Sequence, residues 1–243
     1  MDKWKSLYIF YFSGTGNARA SAGWIADEAE KRGLKSVVQQ IDRLENIKFP
    51  SVYEKPLIGF AFPTHGFNAA PLMLKFIAGF PAGLSKEIFL LNTRAGMKLS
   101  KLFMPGLSGV ALILPAFILW LKGYKCIGFR PVDLPSNWIS LHPGLKMKVI
   151  DSIFVRCERI VIRFAGILLD GKKVYRGLYS LPVDLLISPL AWHTILEEGT
   201  FLPKLLSQTI NAIIVVSASK NVRLLQLNML RTAPTGSFHA RVV

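Results

Sequence analysis

The residues with the clearest capacity for chemistry lie between Ser13 and Asn17, where an apolar run ends and a helical pattern begins. Gly14 and Gly16 allow the backbone to bend so that successive N–H groups can point at one anion. Ser13 and Thr15 add hydroxyl donors, and the following helix presents its positive N-terminal end. The sequence therefore predicts a phosphate cradle at this turn.

The kind of phosphate is narrowed by what this turn lacks. It has neither the GxGxxG spacing of dinucleotide-binding turns nor the lysine of a P-loop. An anion site without a cation suits the phosphate of flavin mononucleotide (FMN) better than a triphosphate–magnesium complex. We therefore expect a mononucleotide cofactor.

Two further polar segments follow later apolar runs, at positions 63–69 and 92–96. Both are rich in Gly, Thr, Asn and His, unlike the runs that precede them. Their candidate cofactor-binding residues are Pro63, Thr64, His65, Gly66, Phe67, Asn68, Asn92, Thr93, Arg94, Ala95 and Gly96. We predict no catalytic residue and no metal site.

The elements that must position these segments alternate between strand and helix patterns. Strands are predicted over 7–12, 36–41, 57–62, 87–91 and 124–129, and helices over 18–32, 70–78, 107–121 and 146–169. This order predicts an α/β fold, a doubly wound five-stranded parallel sheet with helices on both faces. Because ligands of such sheets bind at the carboxyl ends of the strands, the three polar segments should meet there.

The composition leaves room for one domain of ordinary size, or one domain plus a small appendage, in 243 residues that are 51% hydrophobic. The net charge of +15 is consistent with an acidic partner or an anionic membrane surface. The basic residues are scattered, so we expect a solvated basic surface and no nucleic-acid binding.

Cysteine use and the N-terminus bear on the compartment. Cys126 and Cys157 are far apart in apolar patterns, so we expect buried thiols, no disulfide and a cytoplasmic protein. No secretory signal is visible. The longest apolar run, over 107–121, contains Pro115 and is too short to span a bilayer, so a buried helix is favoured over membrane association.

The polar segments together resemble those of flavodoxin-like proteins, and more narrowly the bacterial flavodoxin–ferredoxin fusions called ferrodoxins. The resemblance covers about residues 5–170 and is carried by four segments, at 12–17, 62–68, 92–96 and 131–138. It implies that the first segment holds the FMN phosphate and that 64–68 and 93–96 flank the isoalloxazine ring. The family usually has a hydroxyl residue at the position of Ala18, so one phosphate hydrogen bond is missing, and Arg19 could compensate in part by charge.

The roles of individual residues stay open at this level. For His65, a solvated loop histidine is the alternative to a role beside the flavin. Arg94 could neutralise reduced flavin or steer an acidic partner, with an ordinary surface arginine as the alternative. Asn68 and Thr93 could hydrogen-bond the flavin edge or simply shape their turns.

The fusion family also implies a C-terminal ferredoxin, and here the chain departs from it. After Cys157 there is no cysteine, so the chain as written cannot bind an iron–sulfur cluster through a cysteine run. We interpret 171–243 as a degenerate, poorly ordered, out-of-frame ferredoxin segment. Ala or Val stands at 212, 215, 218 and 222, and one permitted choice of codons there yields four cysteines in a shifted frame. Because Ala and Val are common residues, coincidence is the alternative.

These observations together predict an FMN-binding electron-transfer protein whose partner is an acidic redox protein such as a ferredoxin. The alternative is a flavodoxin-fold binding or scaffold module without a cofactor. Such a module could also associate with a membrane surface.

Overall fold

The structure is a computed structural model of the chain. It describes residues 3–42, 47–51, 54–83, 85–99, 102–135, 146–177 and 182. The strands are β1 (Ser6–Tyr11), β2 (Lys35–Gln40), β3 (Pro56–His65), β4 (Asn68–Ala69), β5 (Glu87–Ala95), β6 (Met97–Leu99), β7 (Leu102–Met104), β8 (Lys125–Leu134) and β9 (Val174–Tyr175). The helices are α1 (Asn17–Lys31), α2 (Pro71–Gly79), α3 (Ile113–Leu121) and α4 (Met147–Leu169).

The predicted α/β fold with a parallel sheet is confirmed, but the sheet is larger than the five strands predicted, because β9 adds a sixth parallel strand beside β8. Among the described residues, the main sheet has the order β2-β1-β3-β5-β8-β9, with every neighbouring pair parallel. β4 pairs antiparallel with the end of β3, and β6 and β7 form a separate hairpin. The chain moves outward from β1 to β2 and then returns to the other side of β1 with β3, so the strand order reverses at β1.

Helices cover both faces of this sheet, as the continuous burial of the central strands requires. One buried cluster joins apolar residues of α1 and α4 to one face, including Ile25 and Val161. The other joins α2 and α3 to the opposite face, including Ile77 and Leu119. The central strands β1, β3 and β5 are thereby held between two helical layers.

Three strands are longer than their apolar runs predict. β3 continues to His65, β5 to Ala95 and β8 to Leu134, because pairing between neighbours persists beyond the apolar part. Thr93 pairs with both Pro63 and Val132. The segments at 63–65 and 92–95, predicted as loops, are therefore polar ends of strands, which are more rigidly placed than loops.

Helix α3 is shorter than the apolar run over 107–121 predicts and begins at Ile113. Gly109 adopts a left-handed backbone with φ +56°, which cannot continue a right-handed helix. Pro115 lacks an N–H and is tolerated because it lies in the first turn of the shortened helix. The segment at 105–112 is thus free to fold back over the ends of β3 and β5.

The described chain continues past 170 into the sheet, since β9 pairs with Gly128 and Phe129 of β8. Residues 136–145, with Trp138, and nearly all of 178–243 lie outside the described residues. The domain boundary at 170, the degenerate tail and the frameshift therefore stay predictions. Of the described helices, none combines the length and apolar character needed to cross a membrane.

Both cysteines are free thiols, and Cys157 is buried as predicted, whereas Cys126 is partly exposed. Burial raises the pKa of Cys157 to about 11 and that of Cys126 to about 12. Both thiols are therefore protonated and unreactive near neutral pH.

Candidate functional site

The first polar segment forms an open turn between β1 and α1. The Phe12 N–H donates to the Ala61 carbonyl at 3.0 Å, which fixes the start of the turn to β3. Gly16 adopts φ +87° directly before the helix, a backbone that favours glycine. A Cβ placed on Gly14 or Gly16 would meet no atom within 4 Å. The turn therefore has open space above both glycines.

The start of α1 has no side-chain cap in the described structure, and no acidic residue lies in its first turn. The Asn17 amide, a natural capping group, instead donates to the Pro135 carbonyl at 2.9 Å and ties the helix to the end of β8. The positive end of α1 is thus directed at the turn, and no acidic residue in the first turn of α1 offsets it. Ala18 is buried and Arg19 is exposed.

The second polar segment is a tight hairpin between β3 and β4. Gly66 and Phe67 form its two-residue turn with φ of +52° and +59°, the left-handed values that such turns require. Asn68 is buried, and its Oδ1 accepts a hydrogen bond from the Ala69 N–H at 2.8 Å. His65 is exposed beside the turn.

Asn92 joins the second and third polar segments. Its side chain is fully buried, and Nδ2 donates to Thr64 Oγ1 at 2.7 Å and to Ser108 Oγ at 3.2 Å. Thr93, the next residue, is also buried. Two of the three polar segments are therefore in direct contact at the ends of β3 and β5, and a meeting with the first segment stays a prediction.

Arg94 is buried and paired with Asp133, a residue for which the sequence analysis proposed no role. The guanidinium Nε donates to Asp133 Oδ1 at 2.7 Å, and the Arg94 side chain is 2% exposed. Arg94 Nη1 also donates to Ser108 Oγ at 3.1 Å, while Asp133 accepts the Gly106 N–H at 2.8 Å. This ion pair joins β5, β8 and the segment that precedes α3.

That geometry excludes two readings of Arg94 that the sequence left open. A buried arginine held by a carboxylate is neither an ordinary surface arginine nor available to steer an approaching protein. Gly96 completes the arrangement, because a Cβ there would lie 2.5 Å from the Asp133 Cβ. Asp133 could have been suspected as a site residue because it lies in the segment at 131–138 that carries the resemblance. No feature of the sequence pointed to Ser108.

Each polar segment contributes one buried polar atom that lacks a hydrogen-bond partner among the described residues. These atoms are Ser13 Oγ, Asn68 Nδ2 and Asn92 Oδ1. Buried polar atoms in folded proteins are nearly always paired, and leaving one unpaired costs about 1–3 kcal/mol. The three atoms comprise a hydroxyl, an amide donor and a carbonyl acceptor, which is the set of contacts that a phosphorylated heterocycle can complete.

Comparison with known proteins agrees with this architecture. Residues 9–102, less than half of the chain, match the family model described as flavodoxin. Within that range, the parallel α/β arrangement of the structure is the one that the family match implies. No curated protein matches the chain.

Solved structures with a similar flavodoxin-like arrangement include three flavodoxins. One, from the domain Archaea, is 17% identical with a TM-score of 0.41 and covers 66% of this chain and 96% of that chain. Oxidised flavodoxin 1 from Bacillus cereus is 15% identical with a TM-score of 0.41 and covers 66% and 97%. Two-electron reduced Megasphaera elsdenii flavodoxin is 16% identical with a TM-score of 0.41 and covers 63% and 98%.

Proposed function

We propose that this chain is an electron-transfer protein that binds FMN non-covalently at the carboxyl edge of its parallel sheet. The observation that carries the proposal is the set of three buried, unpaired polar atoms, one from each polar segment. The flavodoxin family match over 9–102 supports it, because that range contains all three segments.

The phosphate would be held by the turn between β1 and α1. The Ser13 hydroxyl would donate to a phosphate oxygen, an acceptor that the described residues do not provide. The open space above Gly14 and Gly16 admits the anion, and the uncapped end of α1 favours its negative charge. Thr15 lies exposed in the same turn and adds a second hydroxyl.

The ring would be oriented by Asn68 and Asn92. The pyrimidine edge of a flavin offers carbonyl acceptors and an N–H donor, which complement the unpaired amide Nδ2 of Asn68 and carbonyl Oδ1 of Asn92. The hydrogen bond from Asn92 to Thr64 fixes the orientation of the Asn92 amide before any ligand arrives. Because both atoms are buried, this edge of the sheet would open slightly to let the ring reach them.

When bound, FMN supplies the redox chemistry, since it accepts and passes electrons one or two at a time. The protein supplies the frame around it. The Arg94–Asp133 pair holds β5 against β8 and keeps both charges satisfied inside the protein. The burial of Asn68, Asn92 and Arg94 would strengthen the electrostatic contacts of a flavin bound beside them.

We further propose that the natural electron partner is an acidic redox protein in the cytoplasm, such as a ferredoxin, which the excess positive charge would attract. The proposed frameshift after 171 would account for the lack of a cysteine run after Cys157. Sequencing the gene tests that idea, since codons that give no cysteines in the shifted frame would rule it out.

The electron-transfer function is tested by anaerobic photoreduction of the FMN-loaded, desalted protein with EDTA as the electron donor, followed by mixing with an oxidised ferredoxin in the dark. Bleaching of the protein-bound flavin and then its reoxidation by the ferredoxin supports the proposal. Flavin that stays oxidised under illumination, or stays reduced after mixing, contradicts it. Free FMN at the same concentration is the control for transfer outside the protein.

A second candidate, a binding module without cofactor, is favoured by one feature. Ala18 leaves the first turn of α1 without the hydroxyl that the resemblance implies. A protein that stays colourless after exposure to FMN, while folding normally by circular dichroism, would select this candidate.

A further inference from the structure

A second concave surface lies away from the candidate flavin site. It is a groove of about 840 Å³ between α4 and the edge of the sheet formed by β8 and β9. None of the candidate cofactor-binding residues lines it. Five arginines line it, Arg130, Arg156, Arg159, Arg163 and Arg176, against one carboxylate, Asp151.

These arginines converge from three elements. Arg156, Arg159 and Arg163 are spaced by three and four residues on α4 and so share one helix face. Arg130 extends from β8, while the Arg176 N–H donates to the Phe129 carbonyl at 2.9 Å and places Arg176 beside it. The strand pairing at this edge therefore brings these arginines together, so their positive charge is concentrated in the groove and not scattered over the surface.

The lining beneath the charges is apolar. Phe164 and Val174 are buried, and Ile160 and Ile167 are partly exposed beside them. The lining runs along α4 from Asp151 to Ile167, which at the rise of an α-helix is about 24 Å. The groove thus combines an apolar floor with a cationic rim. It is long enough to hold a peptide in an extended or a helical conformation.

We propose that this groove docks an acidic, amphipathic segment of a partner protein. Carboxylates of such a segment would pair with the arginine rim, since guanidinium groups bind carboxylates through two parallel hydrogen bonds. Its apolar side chains would cover the floor, as in other complexes where a peptide lies in a groove. The mutual repulsion of the arginines is relieved when an anion binds.

The shape and lining favour a protein segment over two other anionic partners. A membrane surface is flat and would not reach the floor of a groove. Single-stranded nucleic acid is usually bound on exposed aromatic rings. The aromatic residue that lines this groove in the described structure is Phe164, and it is buried.

The test is a fluorescence anisotropy titration of the full chain with a fluorescein-labelled peptide built from repeated Glu-Glu-Leu units. The variants are R159E/R163E and the milder R159Q/R163Q. The matched control is K35E/K48E, which makes the same change in net charge at exposed residues near β2, the opposite edge of the sheet. Circular dichroism confirms that each variant is folded, and the titration is run with and without FMN.

We expect peptide binding to weaken by about tenfold or more in R159E/R163E and by less in R159Q/R163Q. In K35E/K48E it should weaken by under about twofold. Equal weakening in K35E/K48E would show non-specific attraction and overturn the proposal, as would no peptide binding at all. Tighter binding of single-stranded DNA or of phosphatidylserine vesicles that is lost in R159E/R163E would overturn it in favour of that partner. Because the titration is also run without FMN, its outcome is separate from that of the proposed flavin site.

Discussion

Replacing Ser13 with alanine should raise the stability of the flavin-free protein and weaken its affinity for FMN. The Ser13 hydroxyl is buried and has no partner among the described residues, so it costs stability in the absence of a ligand. Removing it should raise the free energy of unfolding by about 1 kcal/mol. If the hydroxyl donates to the FMN phosphate, the same change removes a hydrogen bond to a charged group, and the Kd should rise roughly ten- to hundredfold.

Urea unfolding of the flavin-free protein measures the first effect, and titration of FMN fluorescence measures the second. Ser21→Ala is the matched control, because Ser21 is also a buried serine but its hydroxyl donates to the Asn17 carbonyl at 3.0 Å. The control should lose up to about 1 kcal/mol of stability and keep its FMN affinity within about twofold. A Ser13→Ala protein that is destabilised like the control and binds FMN as tightly as wild type would refute the reasoning.

Three further changes probe other parts of the molecule. Asp133→Asn leaves the buried Arg94 charge without its carboxylate and should lower the free energy of unfolding by about 3–5 kcal/mol, whereas Asp170→Asn, at an exposed ion pair, should cost under about 1 kcal/mol in the same urea titration. Burial lowers the pKa of Lys122 from 10.5 to about 8, so the folded state binds fewer protons than the unfolded state between those values. The stability of wild type relative to Lys122→Met should therefore rise with pH from about 8 to 10.5, and a constant difference would contradict this. Ala18→Thr should tighten FMN binding by roughly tenfold if the added hydroxyl donates to the phosphate, and unchanged affinity would show that position 18 does not face the phosphate.

The fold followed from local patterns in the sequence. Continuous apolar runs predicted buried parallel strands, and the alternation with helices predicted the doubly wound sheet. The polar segments at 13–17, 63–69 and 92–96 could be placed at one edge because parallel strands all end on the same side. The hydrogen bond from Asn92 to Thr64 joins two of these segments at that edge.

The features that the sequence did not predict depend on contacts between residues far apart in the chain. Hydropathy marked the apolar parts of β3, β5 and β8 but not their polar ends, which are ordered by pairing with neighbouring strands. The Arg94–Asp133 pair spans 39 residues, so no local pattern identified Arg94 as buried. The arginine groove likewise exists only because β9 returns to pair with β8 beside α4.

The central claim is tested most directly by the visible absorption spectrum of purified protein after incubation with FMN and desalting. We predict that wild type retains a flavin spectrum and that Ser13→Ala retains less. A wild-type protein that elutes colourless, although folded by circular dichroism, would contradict the proposed flavin site.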